Sequence, residues 1–209
     1  ALMKTTLFEI GIVLILLLLT GPKINGNDTL KYDVWINYYI DLSDTYGNGK
    51  LLTGEFSVTK EWYGIEISFG HFQSQAVFVY QVYAEDLEME INIPFDEMAI
   101  MQLGSLSAKV KPVQGKKITT DLIIGLTLGE AKNSRFNSVQ YSYSTIDNKF
   151  NYLYKDYKLV TETHLGYHLG VNISFFPIRK IGVQLNSRIL QLNHGGTFFF
   201  LGGGTCFRF

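Results

Sequence analysis

The chain has 209 residues, 46% of them apolar, 14% aromatic and 18% charged, with 20 Gly, 4 Pro, 1 Cys and a formal net charge of −1. That length holds one domain, or one domain and a targeting segment, and charge so balanced offers no basic field for nucleic acid. A single Cys excludes a disulfide scaffold and a cysteine zinc site, while few charges beside 15 Phe and 13 Tyr suit a surface that meets lipid.

Met3 and Lys4 precede an uncharged apolar run, Ile10 to Leu19, closed by Thr20, Gly21 and Pro22. The run is shorter than the roughly 20 residues a membrane-spanning helix needs, and has the length of a secretion-signal core. The nearest small-residue end is Ile24-Asn25-Gly26, so the expected division is a signal peptide over 1–26 and a mature domain over 27–209. No Cys follows the run, which argues against a lipid anchor, and the change to a strand pattern at Asn27 argues against a buried N-terminal helix.

From residue 30 onward the pattern has period two, the period of a strand with one apolar side. In 30–41, Leu30, Tyr32, Val34, Ile36, Tyr38 and Ile40 alternate with Lys31, Asp33, Trp35, Asn37, Tyr39 and Asp41. Strands follow at 52–60, 63–72, 103–112 and 118–129, with Phe56, Ile65, Leu106 and Leu122 on the apolar rows and Glu55, Glu66, Lys109 and Asp121 opposite. In 163–176, Leu165, Tyr167, Leu169, Val171, Ile173 and Phe175 oppose His164, Gly166, His168, Gly170, Asn172 and Ser174; strands at 180–191 and 197–209 complete eight. Most are near the 9–11 residues that a tilted strand needs to cross a bilayer. Tight connections at Glu61-Trp62, Val113 to Lys117 and Pro177 to Arg179 alternate with long ones at 42–51, 73–102 and 130–162, and 192–196 is the short exception. This asymmetry suits a transmembrane β-barrel with short periplasmic turns and long outer loops.

Turning the apolar rows outward leaves Lys31, Lys109, Lys111, Arg188 and Arg208 inside with Asp33, Asp41, Glu55, Glu66 and Asp121. Five bases face five acids, which predicts an interior crossed by ion pairs instead of an open water column. A lipocalin would place the same ten residues on its wet outside, and the periodicity alone leaves that alternative open.

The chain ends Gly202-Gly203-Gly204-Thr205-Cys206-Phe207-Arg208-Phe209. Gly204 with the alternating aromatics Phe207 and Phe209 resembles the terminal strand signal of bacterial outer-membrane barrels, and with the signal peptide and eight strands the whole chain resembles the small OmpA/OmpX-type family. The segments Ser57 to Gly64 and Phe175 to Ile178 look most like versions from the Bacteroidetes. The resemblance implies residence in the outer membrane of a Gram-negative bacterium and insertion by the barrel-assembly machinery. It also implies bilayer contact around an eight-stranded antiparallel up-and-down barrel. In contrast to the OmpA pattern, no peptidoglycan-binding domain is expected after the barrel.

Chemistry-bearing residues are sparse, and no cofactor or metal ion is expected. His164 and His168 share a face but stand about 13 Å apart on an extended strand, too far for one metal ion. Some barrels of this size hydrolyse or acylate lipid A, which takes a Ser and a His with an orienting acid near the outer rim; here Ser187 and His71 lie on the outward rows with no carboxylate expected on the same face, and His194 lies in the last outer loop. Cys206 points inward beside Arg208.

The outer loops are richer. Ala76, Phe78, Tyr80 and Val82 continue the alternation past the membrane, Leu87, Met89, Ile91 and Ile93 return beside them so that the loop reads as a hairpin protruding above the bilayer, and Phe95 to Met101 suits a short helical turn. Tyr141 and Tyr143 face Phe150, Tyr152 and Tyr154 across a turn at Thr145 to Lys149. Tyr80, Tyr83, Tyr141, Tyr143, Tyr152 and Tyr154 are therefore the expected partner-binding residues, capturing a protein or surface ligand by strand addition and aromatic contact. The alternative is that they pack on each other and shield the barrel mouth. The expected function is non-enzymatic: surface binding or envelope scaffolding from a plugged barrel. A lipid A-modifying enzyme and a small-solute channel are the alternatives.

Overall fold

A computed structural model of the protein describes residues 30–43, 48–84, 89–144, 146–147 and 149–209. The expected signal peptide and the tip residues Glu85 to Glu88 lie outside them. Eight strands, β1 (Lys31–Asp41), β2 (Asn48–Lys60), β3 (Tyr63–Ala84), β4 (Met89–Gln114), β5 (Ile118–Ser144), β6 (Lys149–Ile178), β7 (Ile181–Leu192) and β8 (Gly196–Arg208), pair in sequence order, and β8 returns to β1 to close a barrel. Every pair is antiparallel.

The outward rows are those the alternation assigns. On β6 the row from Leu165 to Phe175 is exposed, and with a rise of about 3.3 Å per residue and a tilt near 45° it spans roughly 25 Å, the height of a bilayer's apolar core. Above it the outward row turns polar at one level: His71, Gln102, Glu130 and Thr163 are consecutive partners across β3, β4, β5 and β6. The carboxamide of Gln102 lies 2.7 Å from His71 Nδ1. At the other end, beside the two-residue Glu61-Trp62 turn, exposed Trp62 and Tyr63 pack edge to face and supply an interfacial aromatic pair. The lipocalin alternative fails on the other face of the sheet. It is the charged rows that are buried, and the apolar rows that look out.

The protruding hairpins expected of the long outer loops are present as continuous extensions of the barrel strands: β3, β4, β5 and β6 run 22, 26, 27 and 30 residues against 11 to 13 for the other four, so the outer connections shrink to 42–47, 85–88, 145–148 and 193–195. One expectation changes. Phe95 to Met101 is part of β4 and not a helical turn. Pro94, which cannot donate to a ladder, sits where only β3 pairs with β4, because the β4–β5 ladder ends at Met98↔Ser134.

Closure depends on the glycines of β8. Gly202 and Gly204 oppose Tyr39 and Asn37, and a Cβ at Gly204 would collide with the Ile36 carbonyl and the Asn37 side chain. Gly204→Ala should therefore weaken the closing seam by about 1–3 kcal/mol, the usual cost of overpacking. A lower denaturation midpoint by heat-modifiable gel mobility checks it; an unchanged midpoint would mean that the seam yields freely.

Candidate functional site

The barrel interior is built in two layers. In the periplasmic half, Glu55 Oε1 accepts hydrogen bonds from Tyr39 (3.2 Å), Thr53 (3.0 Å) and Arg188 (3.0 Å). Arg188 also lies 3.6 Å from Glu66, and Lys109 joins Glu66 at 2.7 Å to Asp121 at 3.2 Å. Nearer the short turns, Asp33 holds Arg208 at 2.6 Å and Lys111 at 3.9 Å, while the Arg208 guanidinium covers the Phe176 ring at 3.7 Å. Alternating charge along this chain offsets the cost of burying each group. His168 completes the layer by contacting Ser107 at 3.0 Å and Thr127 at 2.8 Å.

Eight of the ten charges expected inside thus form the network. Lys31 does not: it stands at the first position of β1, on the open rim, and is exposed, because a long aliphatic stem there carries its ammonium to water. Asp41 is buried at the opposite end of β1, where its Oδ1 accepts from the Ser43 backbone N–H at 2.9 Å and from its hydroxyl at 2.7 Å, closing the outer turn.

The outer half of the interior is apolar, which the sequence reading missed. Leu51, Phe72, Met101, Leu103, Ala131, Leu190, Leu192, Phe198 and Phe200 form one buried cluster with Tyr39, and Phe72 meets Phe198 and Phe200 edge to face at 5.4 and 5.9 Å. The available signal was loss of alternation in Phe198-Phe199-Phe200-Leu201, where both faces of a strand are apolar. Between the two layers lies a void of about 10 Å³, bordered by Thr53, His168, Arg188 and Phe200, which is room for about one water molecule.

Above the polar girdle the β3–β4 and β5–β6 hairpins fold against each other. Ile91 and Ile93 are buried beneath Val139, Tyr141, Tyr143, Phe150 and Leu153, and Phe95 stacks on Phe78 at 5.6 Å and on Phe136 at 4.5 Å. Tyr80 packs on Phe136 at 5.4 Å while remaining exposed. Of the six tyrosines expected to bind a partner, Tyr141 and Tyr143 therefore serve this outer core, whereas Tyr80, Tyr152 and Tyr154 present their rings to solvent, the last two at 58% and 61% exposure. Tyr83 pairs with Glu90 in the β3–β4 ladder. The expected pairing of Tyr152 and Tyr154 with tyrosines changes too: a register shift places them opposite Ser142 and Gln140.

The outward face does hold a carboxylate, contrary to expectation, since β5 continues past residue 129 and sets Glu130 two strands from His71; but Ser187 and His71 lie on β7 and β3, opposite sides of an eight-stranded barrel, so no Ser–His pair forms there. His164 faces the Asn193 carbonyl at 2.9 Å, and His194 holds a left-handed turn conformation, φ 58°. Cys206 is buried with Trp35 and Phe176. Phe207 and Phe209 face outward with their rings 4.8 Å apart.

No protein-family model matches the chain, and no curated protein matches it. Solved structures do share the architecture. The crystal structure of Ail, the attachment invasion locus protein of Yersinia pestis, in complex with the heparin analogue sucrose octasulfate, superposes with a TM-score of 0.50 at 14% identity over 86% of this chain and 99% of that one. Neisserial surface protein A superposes at 0.54 with 10% identity, and the N-terminal β-barrel domain of Pseudomonas aeruginosa OprF at 0.50 with 11%, each over 86% of this chain and 97% of the other. At these identities the likeness is one of fold. The fold is that of the small eight-stranded transmembrane β-barrels of the Gram-negative outer membrane.

Removing one partner from the interior network leaves a buried charge uncompensated. Lys109→Ala should cost on the order of 3–5 kcal/mol, and Lys31→Ala on the exposed rim should stay within about 0.5 kcal/mol. Urea titration of the folded barrel measures both; equal effects would contradict the assignment of Lys109 to the sealed layer. Planar-bilayer recordings of the pure protein should show no steady current of general-porin size.

Proposed function

We propose that the protein is a surface-binding or scaffolding barrel of the OmpA/OmpX kind, resident in the outer membrane, whose working part is the pair of hairpins above the girdle. The observation that carries this reading is the asymmetry of the strands. Four of them continue past the bilayer boundary and build a second core there, at a cost in ordered backbone that an inert membrane plug does not require. That core leaves Tyr80, Val79, Tyr152, Tyr154 and Leu159 exposed, and aromatic anchors on a rigid support are typical of binding surfaces. The outer edge of β6 adds a second feature. From Lys149 to Leu165 it has no partner from β7, whose ladder begins at Gly166↔Leu192, so it can accept an added strand.

On this reading residues 1–26 are a signal peptide removed on export, and Gly204, Phe207 and Phe209 form the strand end that the barrel-assembly machinery engages. The interior charges and the apolar layer act as a plug, not as a filter. The rival reading, an enzyme acting on lipid A at the outer rim, has Ser187 and His71 on opposite walls and His194 shaping a turn.

Replacing 138–156 by a short turn should abolish partner capture at the cell surface while the barrel still inserts. Tyr152→Ala and Tyr154→Ala together should weaken capture without moving the denaturation midpoint, whereas Tyr141→Ala should loosen the hairpin pair and raise its protease sensitivity. His194→Ala should leave capture intact. Mass spectrometry of lipid A from cells with and without the protein decides against the rival; a lost or gained acyl chain would overturn the proposal.

A further inference from the structure

The base of the hairpin pair holds a cleft of about 90 Å³, where β4 and β5 part. Their ladder ends at Met98↔Ser134, so the next residues, Glu97 and Arg135, face each other across a fork instead of a hydrogen-bonded rung. Below the fork, Ser74, Ala99 and Asn133 occupy one rung of β3, β4 and β5, directly above the apolar layer at Phe72, Met101 and Ala131. The cleft therefore has a sealed apolar floor.

Its two buried polar side chains are left without hydrogen-bond partners. Asn133 is 3% exposed and neither atom of its carboxamide has a hydrogen-bond partner; Ser74 is 2% exposed and its hydroxyl has none. Each such group forfeits its hydration without replacement; others, such as Asn172 and Asn186, lie within the bore, whereas Asn133 and Ser74 line an open cleft. Glu97 uses one oxygen to accept the Phe136 N–H at 3.3 Å, which leaves the other free for a ligand, and among the described residues it forms no ion pair. Arg135 reaches Glu162 at 3.5 Å through one nitrogen, and the rest of its fork of donors remains. A carboxylate and a guanidinium thus flank one cleft without neutralising each other, with a carboxamide that can donate and accept between them.

We propose that this cleft binds a small zwitterion of the α-amino acid class, its carboxylate on Arg135, its ammonium on Glu97, and the Asn133 carboxamide and Ser74 hydroxyl completing its hydrogen bonds. The volume suits a molecule of glycine or alanine size, with Phe78 and Met98 as the apolar wall. A neutral polyol would satisfy the carboxamide but would leave the Glu97 carboxylate without a cation and the remaining Arg135 donors without an anion. Lone anions or cations would use only one of them. This site lies below the exposed tyrosines and does not depend on partner capture at the hairpin tips.

Equilibrium dialysis of labelled glycine against the full-length barrel folded in detergent tests the proposal. One saturable site per chain is expected, with a dissociation constant of roughly 0.1–10 mM for so few atoms, and L-alanine should compete. Acetate, methylammonium and glucose should compete at least about tenfold more weakly, since each lacks one or both charge-assisted contacts. Glu97→Gln and Arg135→Gln, at the partly exposed margin where folding is not at risk, should each lower affinity about tenfold or more. Lys132→Gln, which pairs with Glu130 outside the cleft, should not. Asn133→Leu should remove binding, and heat-modifiable mobility shows whether that variant has folded; if it has not, the two marginal variants decide. Absence of saturable glycine binding up to roughly 50 mM, glucose competing as well as alanine, or indifference to both charge substitutions would each overturn it. The first of those outcomes would leave a cleft filled by water only. Loss of glycine binding with partner capture intact, or the reverse, separates this site from the surface reading.

Discussion

In the hydrocarbon of a bilayer no water is present to satisfy a peptide group, so a sheet that enters it must have no edge. The pairing of β8 with β1, from Asp33↔Arg208 to Asp41↔Phe200, meets that requirement, and most other features of the molecule follow from it. Closing eight strands fixes a narrow bore that side chains must fill. The missing side chains of Gly202 and Gly204 let the two strands approach, so the closing seam dictates its own glycines. The seam also joins the ends of the chain's charge logic, since Arg208 on the last strand neutralises Asp33 on the first.

Filling the bore poses two separate problems, and the protein solves them at different depths. Inward residues near the short turns are polar because a strand alternating for lipid on one side is free to be polar on the other; their charges are held by mutual pairing from Glu55 through Arg188, Glu66 and Lys109 to Asp121. At the outer end the same rows become aromatic and aliphatic. Rings of Phe72, Phe198 and Phe200 close the mouth by dispersion and burial, which asks for no partner geometry and isolates the ion pairs from external water. The two layers reinforce each other: a dry outer layer strengthens the electrostatics below it, and the rigid network below holds the strands that the rings pack against.

The extension above the membrane obeys a different constraint. Once β3, β4, β5 and β6 leave the lipid, their apolar rows must find another cover, and the two hairpins provide it for each other through Ile91, Ile93, Phe95 and Phe136. Where β4 and β5 separate to make this fold, backbone pairing stops and a polar cleft opens at Glu97, Asn133 and Arg135. The same bifurcation that builds the outer core thus also opens the cleft that Asn133 and Ser74 line.

Strand number, pairing direction, the lipid-facing rows and the identity of the interior charges were legible in the residues themselves, because lipid on one side and a filled bore on the other impose a strict period of two. The run from Leu165 to Phe175 and the balanced set from Asp33 to Arg208 carried that information locally. Tertiary structure alone decided the rest. Lys31 obeys the inward parity yet lies on the rim, since only the closed barrel shows where the bore ends. The apolar outer layer was hidden in Phe198-Phe199-Phe200, where both faces are apolar and periodicity falls silent. The alternation from Ala76 to Val82 showed that strand continues beyond the bilayer, but not that Phe95 to Met101 joins it, because that segment's partners, Phe72 to Phe78 on β3, lie far from it in sequence. The rotation of Tyr141 and Tyr143 into a core, with Tyr152 and Tyr154 left outside, follows from register shifts at Phe136/Ser138 and Ser142/Tyr143: one extra residue exchanges the faces of a strand, and such a shift is set by packing between hairpins, not by any local preference.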